Sequence, residues 1–169
     1  MPGQKPPFEE LYREFLNRIY AFVRTQVGNQ ADAEDVTAQV FIKAYEAYDR
    51  FELRAATPAA WLFQIARNAS LDHHRRVARR DRLVRTVAAQ PEAEVDPGLM
   101  AEELMQYQQL MELVAGLPDR QREVMSLRHS GLSFLEVGSL LECSEDAAKM
   151  LYHRAVKAVR AALPAEGPR

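Results

Sequence analysis

Apolar residues recur at three- and four-residue steps along most of the chain. Phe8, Leu11, Tyr12, Phe15, Ile19, Phe22 and Val23 form one such stripe, the period expected when one side of an α-helix faces a core. Gly28-Asn29 ends it. Val36, Val40, Phe41, Ala44 and Tyr48 form a second stripe and predict a helix from Ala31 to Phe51. Asp32, Glu34 and Asp35 sit in its first turn, where carboxylates suit the positive end of the helix dipole. Residues 52–57 break the pattern. Thr57-Pro58 then supplies an N-cap and a proline at the first helical position. The helix it opens runs through Trp61, Leu62, Ile65, Ala66, Ala69 and Leu71 into a run of arginines.

Residues 86–98 have no strong period and contain Pro91 and Asp96-Pro97-Gly98, a linker composition. Helical spacing resumes from Leu99 to Ala115, with Leu104, Tyr107, Leu110, Met111 and Val114 expected inward, until Gly116-Leu117-Pro118. A helix from Asp119 to Ser130 ends at Gly131. Ser133 caps the next, to Leu141, and Ser144 caps the last, from Glu145 to Leu163, which Pro164 stops. Alternating β-branched runs are missing. The expectation is an all-α fold of two small helical domains, residues 1–85 and 99–169, joined by a flexible linker at 86–98.

Composition narrows the class. The chain has 169 residues, 47% apolar and 27% charged, ordinary for a soluble globular protein. No apolar run approaches the roughly 18 residues of a membrane span. The stretch after Lys5 lacks the apolar core of a secretory signal, and the single cysteine, Cys143, excludes an intrachain disulfide. A cytoplasmic location is expected. The formal net charge of −2 conceals strong zoning. Arg75, Arg76, Arg79, Arg80, Arg82 and Arg85 cluster behind Arg67, against only Asp72 and Asp81. From Pro91 to Gly116 there is no Lys or Arg, but Glu92, Glu94, Asp96, Glu102, Glu103 and Glu112 are acidic.

Two segments carry candidate chemistry. Ser133–Leu141, a three-residue turn (Glu142-Cys143-Ser144) and a longer helix make a helix-turn-helix. Gly138 supplies the small residue needed where the helices cross, and Phe134, Val137, Leu141, Ala148 and Val156 supply packing. The second helix then presents Lys149, His153, Arg154 and Lys157, and Lys and Arg can neutralise phosphates or bond guanine edges. The plainer reading is a helical hairpin with a solvated basic face. In the helix from Pro58 to Arg82, Asn68, Asp72 and Arg75 fall on one face, where an amide and a carboxylate can read base edges while arginines hold the backbone. Trp61 and Phe63 read most simply as core, although aromatics there could also support an unstacked base.

At these residues the chain resembles the extracytoplasmic-function (ECF) sigma factors of bacterial RNA polymerase. Residues 33–44 (AEDVTAQVFIKA) resemble region 2.2, the polymerase-binding helix. Residues 61–68 (WLFQIARN), with Asp72 and Arg75-Arg76, resemble the −10 recognition helix. Residues 117–125 (LPDRQREVM), followed by Gly131, Ser133, Glu136, Gly138, Ser144, Lys149 and His153, resemble region 4, which reads the −35 element. The resemblance covers nearly the whole chain in the right order. It implies that Asp35, Gln39, Phe41 and Lys43 dock on core polymerase. It implies that Asn68, Asp72, Arg75 and Arg76 engage the −10 DNA, with the loop Phe51–Thr57 as the pocket for a flipped base. And it implies that Lys149, Met150, His153, Arg154 and Lys157 face the −35 major groove. The implied partners are core RNA polymerase, promoter DNA and an inhibitory anti-sigma factor.

Against an enzyme, neither a Gly-rich phosphate loop nor a nucleophile elbow occurs. His73-His74 are adjacent and point about 100° apart on a helix, so they converge poorly on a metal, and Cys143 is alone. Neither catalysis nor a cofactor is expected. Two other readings compete. One is an operator-binding regulator acting through the helix-turn-helix without polymerase. The other is a protein adaptor, which leaves the arginine cluster unexplained.

Overall fold

The computed structural model describes residues 4–83 and 101–164. These form helices α1 (Phe8–Val27), α2 (Gln30–Ala47), α3 (Pro58–Leu83), α4 (Ala101–Ala115), α5 (Asp119–His129), α6 (Phe134–Leu140) and α7 (Glu145–Ala162), and no strand occurs among the described residues. The chain divides into two compact units, α1–α3 and α4–α7. The expected linker, residues 86–98, lies outside the described residues, as do Arg85 and the expected start of a helix at Leu99.

The first unit is three helices, each packed on the other two. Leu11, Phe15, Ile19, Phe22 and Val23 of α1 meet Ala33, Val36, Val40, Phe41 and Ala44 of α2 and Leu62, Phe63, Ala66 and Ala69 of α3, all buried. Each large side chain so buried contributes about 1.5–3 kcal/mol. Phe22 and Phe63 meet edge to face at 5.6 Å. Between α1 and α2, Gly28 takes φ 82° and its N–H returns to the Arg24 carbonyl, a conformation that costs glycine little. Asn29 then caps α2 by accepting from the Asp32 N–H at 2.9 Å.

Helix α2 stops at Ala47, short of the expected Phe51. It tightens into a 3₁₀ turn, Tyr48–Arg50, in which the Tyr48 N–H bonds the Tyr45 carbonyl. Tyr48 is held by the N-terminal arm: its hydroxyl donates to the Pro6 carbonyl, and the Lys5 ammonium donates to its own carbonyl.

In the second unit α7 packs against α4, α5 and α6. Val114, Leu117, Ala155 and Val159 form one buried cluster, with Leu113 and Met125 against it. Val124, Leu127, Leu132, Val137, Leu140, Leu141 and Ala148 are also buried. Helix α4 contributes less than its stripe promised. Only Val114 in it is buried, while Tyr107 is 53% and Leu110 41% exposed. An apolar stripe identifies the face that needs cover, not the element that provides it.

Candidate nucleic-acid interface

The helix-turn-helix is built from caps and one tight crossing. Ser133 accepts from the Glu136 N–H at 3.1 Å while the Glu136 carboxylate accepts from the Ser133 N–H at 2.8 Å, a reciprocal capping box. Ser144 caps α7 by accepting from the Ala147 N–H at 3.0 Å. Between them, Glu142 takes φ 55°, and the Cys143 N–H donates to the Gly138 carbonyl at 2.9 Å. A methyl at Gly138 would lie 2.8 Å from the Cys143 carbonyl oxygen, so the crossing needs glycine. Arg120 of α5 donates to the Leu141 carbonyl at 2.9 Å and ties the turn to the rest of the unit. Val137, Leu141 and Ala148 of the expected packing set are buried, and Phe134 and Val156 are half-buried. Phe134 packs edge-on against Tyr152 at 5.5 Å, under Arg128 at 4.7 Å.

This frame orients α7. Ala148, Ala155 and Val159 face inward. Met150, His153, Arg154 and Lys157 are exposed and Lys149 is half-exposed, so the five expected residues share the outward stripe. Lys149 pairs with Glu145 at 3.2 Å. Lys149, Arg154 and Lys157 on the outward stripe of one capped helix make a surface that can enter a major groove and neutralise phosphates.

The outer face of α3 is the second charged surface. Asn68, Asp72, Arg75 and Arg76 are all exposed, as are Arg79, Arg80 and Arg82. Asn68 accepts from Gln64 at 3.1 Å, and Arg75 donates to Asp72 at 3.4 Å. The same face touches α2: Lys43 lies 3.9 Å from Asp72, and Arg76 donates to Gln39 at 3.2 Å. These residues line a polar groove of about 600 Å³ between α2 and α3. Trp61 is half-buried, stacked on Phe51 at 4.4 Å, so it is part of the core edge and not a free platform. His73 and His74 have ring centroids 6.0 Å apart, and His73 pairs instead with Asp32 at 3.3 Å.

A third surface is apolar. An open groove of about 810 Å³ runs between α1 and α2 past Tyr12, Phe41, Ile42 and Tyr45. Thr37 also lines it, and its buried hydroxyl has no hydrogen-bond partner. Phe41, expected at a protein partner, is 6% exposed and packs edge-on against Tyr12 at 4.9 Å. Its register places it on the inward stripe with Val40 and Ala44, so it offers only a ring edge to the groove. The exposed apolar residues are Ile42, at 58%, and Tyr45, at 67%. Sequence reasoning passed over both, although each is a large apolar residue off the core stripe. Asp35 and Lys43 are exposed and Gln39 is half-buried.

Comparison with known proteins accounts for both units. Residues 11–80 match the family model for sigma-70 region 2, and residues 107–159 match that for sigma-70 region 4. The ECF RNA polymerase sigma factor SigX of Bacillus subtilis is 30% identical over 159 residues, which covers 90% of this chain and 81% of that protein. This chain belongs to the ECF group of the sigma-70 family. It is an RNA polymerase-associated promoter-recognition factor, a transcription regulator by family. The ECF sigma factor BldN of Streptomyces coelicolor is 31% identical over 166 residues; 96% of this chain is covered, but this chain spans only 62% of BldN. The fold is shared with the sigma factor RpoE of Bartonella quintana, solved in complex with the anti-sigma factor NepR, at TM-score 0.72 and 24% identity over 91% of this chain and 94% of that one. The region 2 match disfavours the operator-binding regulator acting through the helix-turn-helix without polymerase. No described helix is long and apolar enough to cross a membrane.

Proposed function

We propose that this sigma factor reads two promoter elements with two charged helices held by one large partner. The unit within residues 1–85 docks on core polymerase and captures unpaired −10 bases, with Asn68 and Asp72 reading base edges and Arg75 and Arg76 holding the backbone. The unit within residues 99–169 lays α7 in the −35 major groove, with Lys149, Met150, His153, Arg154 and Lys157 on the contact face. Residues 86–98 connect the two. Neither small unit binds tightly by itself, and the coupling of two weak readings through polymerase supplies the affinity.

The observation that carries this reading is the outward stripe of α7 set behind a doubly capped turn that closes tightly on Gly138. The polymerase-facing surface is the exposed side of α2, with Asp35, Gln39 and Lys43 beside Ile42 and Tyr45. The groove between α1 and α2, with the ring edge of Phe41 in its wall, suits a helix of an anti-sigma factor. Such a protein works in the cytoplasm, where polymerase and promoters are.

Run-off transcription with bacterial core polymerase on a promoter library tests the reading. Start sites that share two upstream elements, appearing only when this protein is added, are the expected result. Tight duplex binding without polymerase, and no transcript with it, would overturn it.

A further inference from the structure

The N-terminal arm of this chain is bonded to the elements that anchor the loop at residues 52–57. Phe51 precedes that loop and Trp61 follows it by one turn of α3. Their rings stack at 4.4 Å with 21° between planes. Tyr48 closes on both, its ring centroid 6.3 Å from that of Phe51 and 6.0 Å from that of Trp61. Onto this cluster the arm lays Lys5. Its ammonium lies 4.1 Å from the Tyr48 ring centroid and 5.8 Å from that of Phe51, and it donates to the Tyr48 carbonyl. In return the Tyr48 hydroxyl donates to the Pro6 carbonyl. Phe8 adds edge contacts to Tyr45 at 5.2 Å and Tyr48 at 5.3 Å.

The bonds therefore run both ways between segments more than 40 residues apart in sequence. Pro6 and Pro7 fix the direction of the arm, because proline removes a rotatable φ. The loop between Phe51 and Pro58 is irregular, with the Ala55 N–H bonded to the Glu52 carbonyl at 3.0 Å. Arg54 and Ala55 at its tip are exposed. A loop of this kind takes its position from the packing and hydrogen bonds at its ends.

We propose that Lys5 and Tyr48 are positioning residues for −10 recognition: the arm clamps the Phe51–Trp61 stack and so fixes the loop that receives the unpaired base. This inference rests on the reading of that loop as the base pocket. Neither residue touches the base. They set how sharply the pocket distinguishes one base from another, because a pocket that shifts by a fraction of an ångström loses its fit to all four bases unequally.

The test uses holoenzyme, assembled from the full chain and bacterial core polymerase, on a promoter obtained by run-off selection. Binding to fork DNA with an unpaired −10 strand is measured with each of the four bases at each −10 position. Lys5→Met keeps the apolar stem but removes the cation and donor, and Tyr48→Phe removes only the hydroxyl. Each should lower discrimination at one −10 position by about three- to tenfold. Core affinity and −35 discrimination should stay unchanged, and Lys5→Arg should restore the wild-type preference. Trp61, the sole tryptophan, should shift its emission in Lys5→Met. Leu53→Ala and Arg54→Ala probe the pocket itself. If they alter −10 discrimination while Lys5→Met and Tyr48→Phe do not, the arm has no positioning role and the pocket stands. If they leave it unaltered, the pocket reading fails and the proposal falls with it. An equal loss at every base, together with a lower unfolding midpoint, would make the arm plain packing and also overturn the proposal.

Discussion

Replacing Gly138 by alanine should open the helix-turn-helix. The added methyl would lie 2.8 Å from the Cys143 carbonyl oxygen and 3.2 Å from the carbonyl carbon and oxygen of Ser144. An ordinary carbon–oxygen contact is about 3.3–3.6 Å, so the turn must retreat by roughly half an ångström. All the opposing atoms are backbone, and the turn is tied down on both sides, by Arg120 to the Leu141 carbonyl and by the Ser144 cap. Overpacking of this sort costs about 1–3 kcal/mol. Weakening the bond from the Cys143 N–H to the Gly138 carbonyl costs about 0.5–1.5 kcal/mol more. Alanine's better helix propensity offsets about 1 kcal/mol. The net expectation is a loss of about 1–3 kcal/mol in the second unit, or roughly 5–20 °C in its midpoint at about 4–8 °C per kcal/mol. Native-state hydrogen exchange at α7 amides reads that unit directly, while Trp61 fluorescence follows the first unit and should not move. Gly116→Ala is the control, since its methyl would meet the Glu112 and Leu113 carbonyls at an ordinary 3.6 Å and should change stability by less than about 0.5 kcal/mol. Wild-type α7 exchange rates in Gly138→Ala, or equal costs for the two alanines, would show that the crossing does not depend on a missing Cβ.

Three further expectations follow from the same geometry. Glu142→Gly should stabilise the second unit by up to about 1 kcal/mol in urea unfolding, because Glu142 holds a positive φ of 55° that glycine adopts without steric cost. Arg154→Ala should weaken holoenzyme binding to −35 DNA by about 1–3 kcal/mol if the side chain bonds a base edge; if it holds a phosphate, the salt slope should fall by about one, with sequence preference intact. Burial, assisted by the Glu10 carboxylate, raises the Tyr48 hydroxyl above its ordinary 10.0. The unfolded phenol therefore ionises first, and the stability this group contributes is present below pH 10 and lost as pH rises through the folded value. The unfolding midpoint of Tyr48→Phe should accordingly fall less steeply above pH 10 than that of the wild type.

Local chemistry made much of this fold legible. Thr57 before Pro58, Ser133 three residues before Glu136, and Ser144 before α7 each satisfy orphan N–H groups with neighbours in sequence, so those helix starts could be read directly. The end of α2 could not. It tightens into a 3₁₀ turn at Tyr48, whose groups bond Lys5 and Pro6, far away in sequence. The outward stripe of α7 was legible for the complementary reason that Ala148, Ala155 and Val159 define its buried side by period alone. On α2 a motif resemblance implies Phe41 as a contact residue, and its register also sets it on the buried stripe. Ile42, inside that motif, and Tyr45, just beyond it, are the neighbours that project. In α4, Tyr107 and Leu110 were given to a core that does not reach them.

Lys43 lies 3.9 Å from Asp72, and Arg76 donates to Gln39, across the groove between α2 and α3, so the residues proposed for polymerase sit against those proposed for −10 DNA. A substitution at Lys43 therefore perturbs two surfaces at once, and a transcription defect in Lys43→Ala cannot be assigned to lost polymerase contact from that variant alone. Lys43→Ala, Asp72→Ala and the double variant form a thermodynamic cycle, and its coupling energy isolates what the pair itself contributes. If Lys43 meets polymerase and Asp72 meets DNA as proposed, this adjacency links the two ligands thermodynamically. Free energy spent in drawing Lys43 away from Asp72 would then return as a changed affinity of that carboxylate for DNA, and DNA would alter the affinity for polymerase by the same factor.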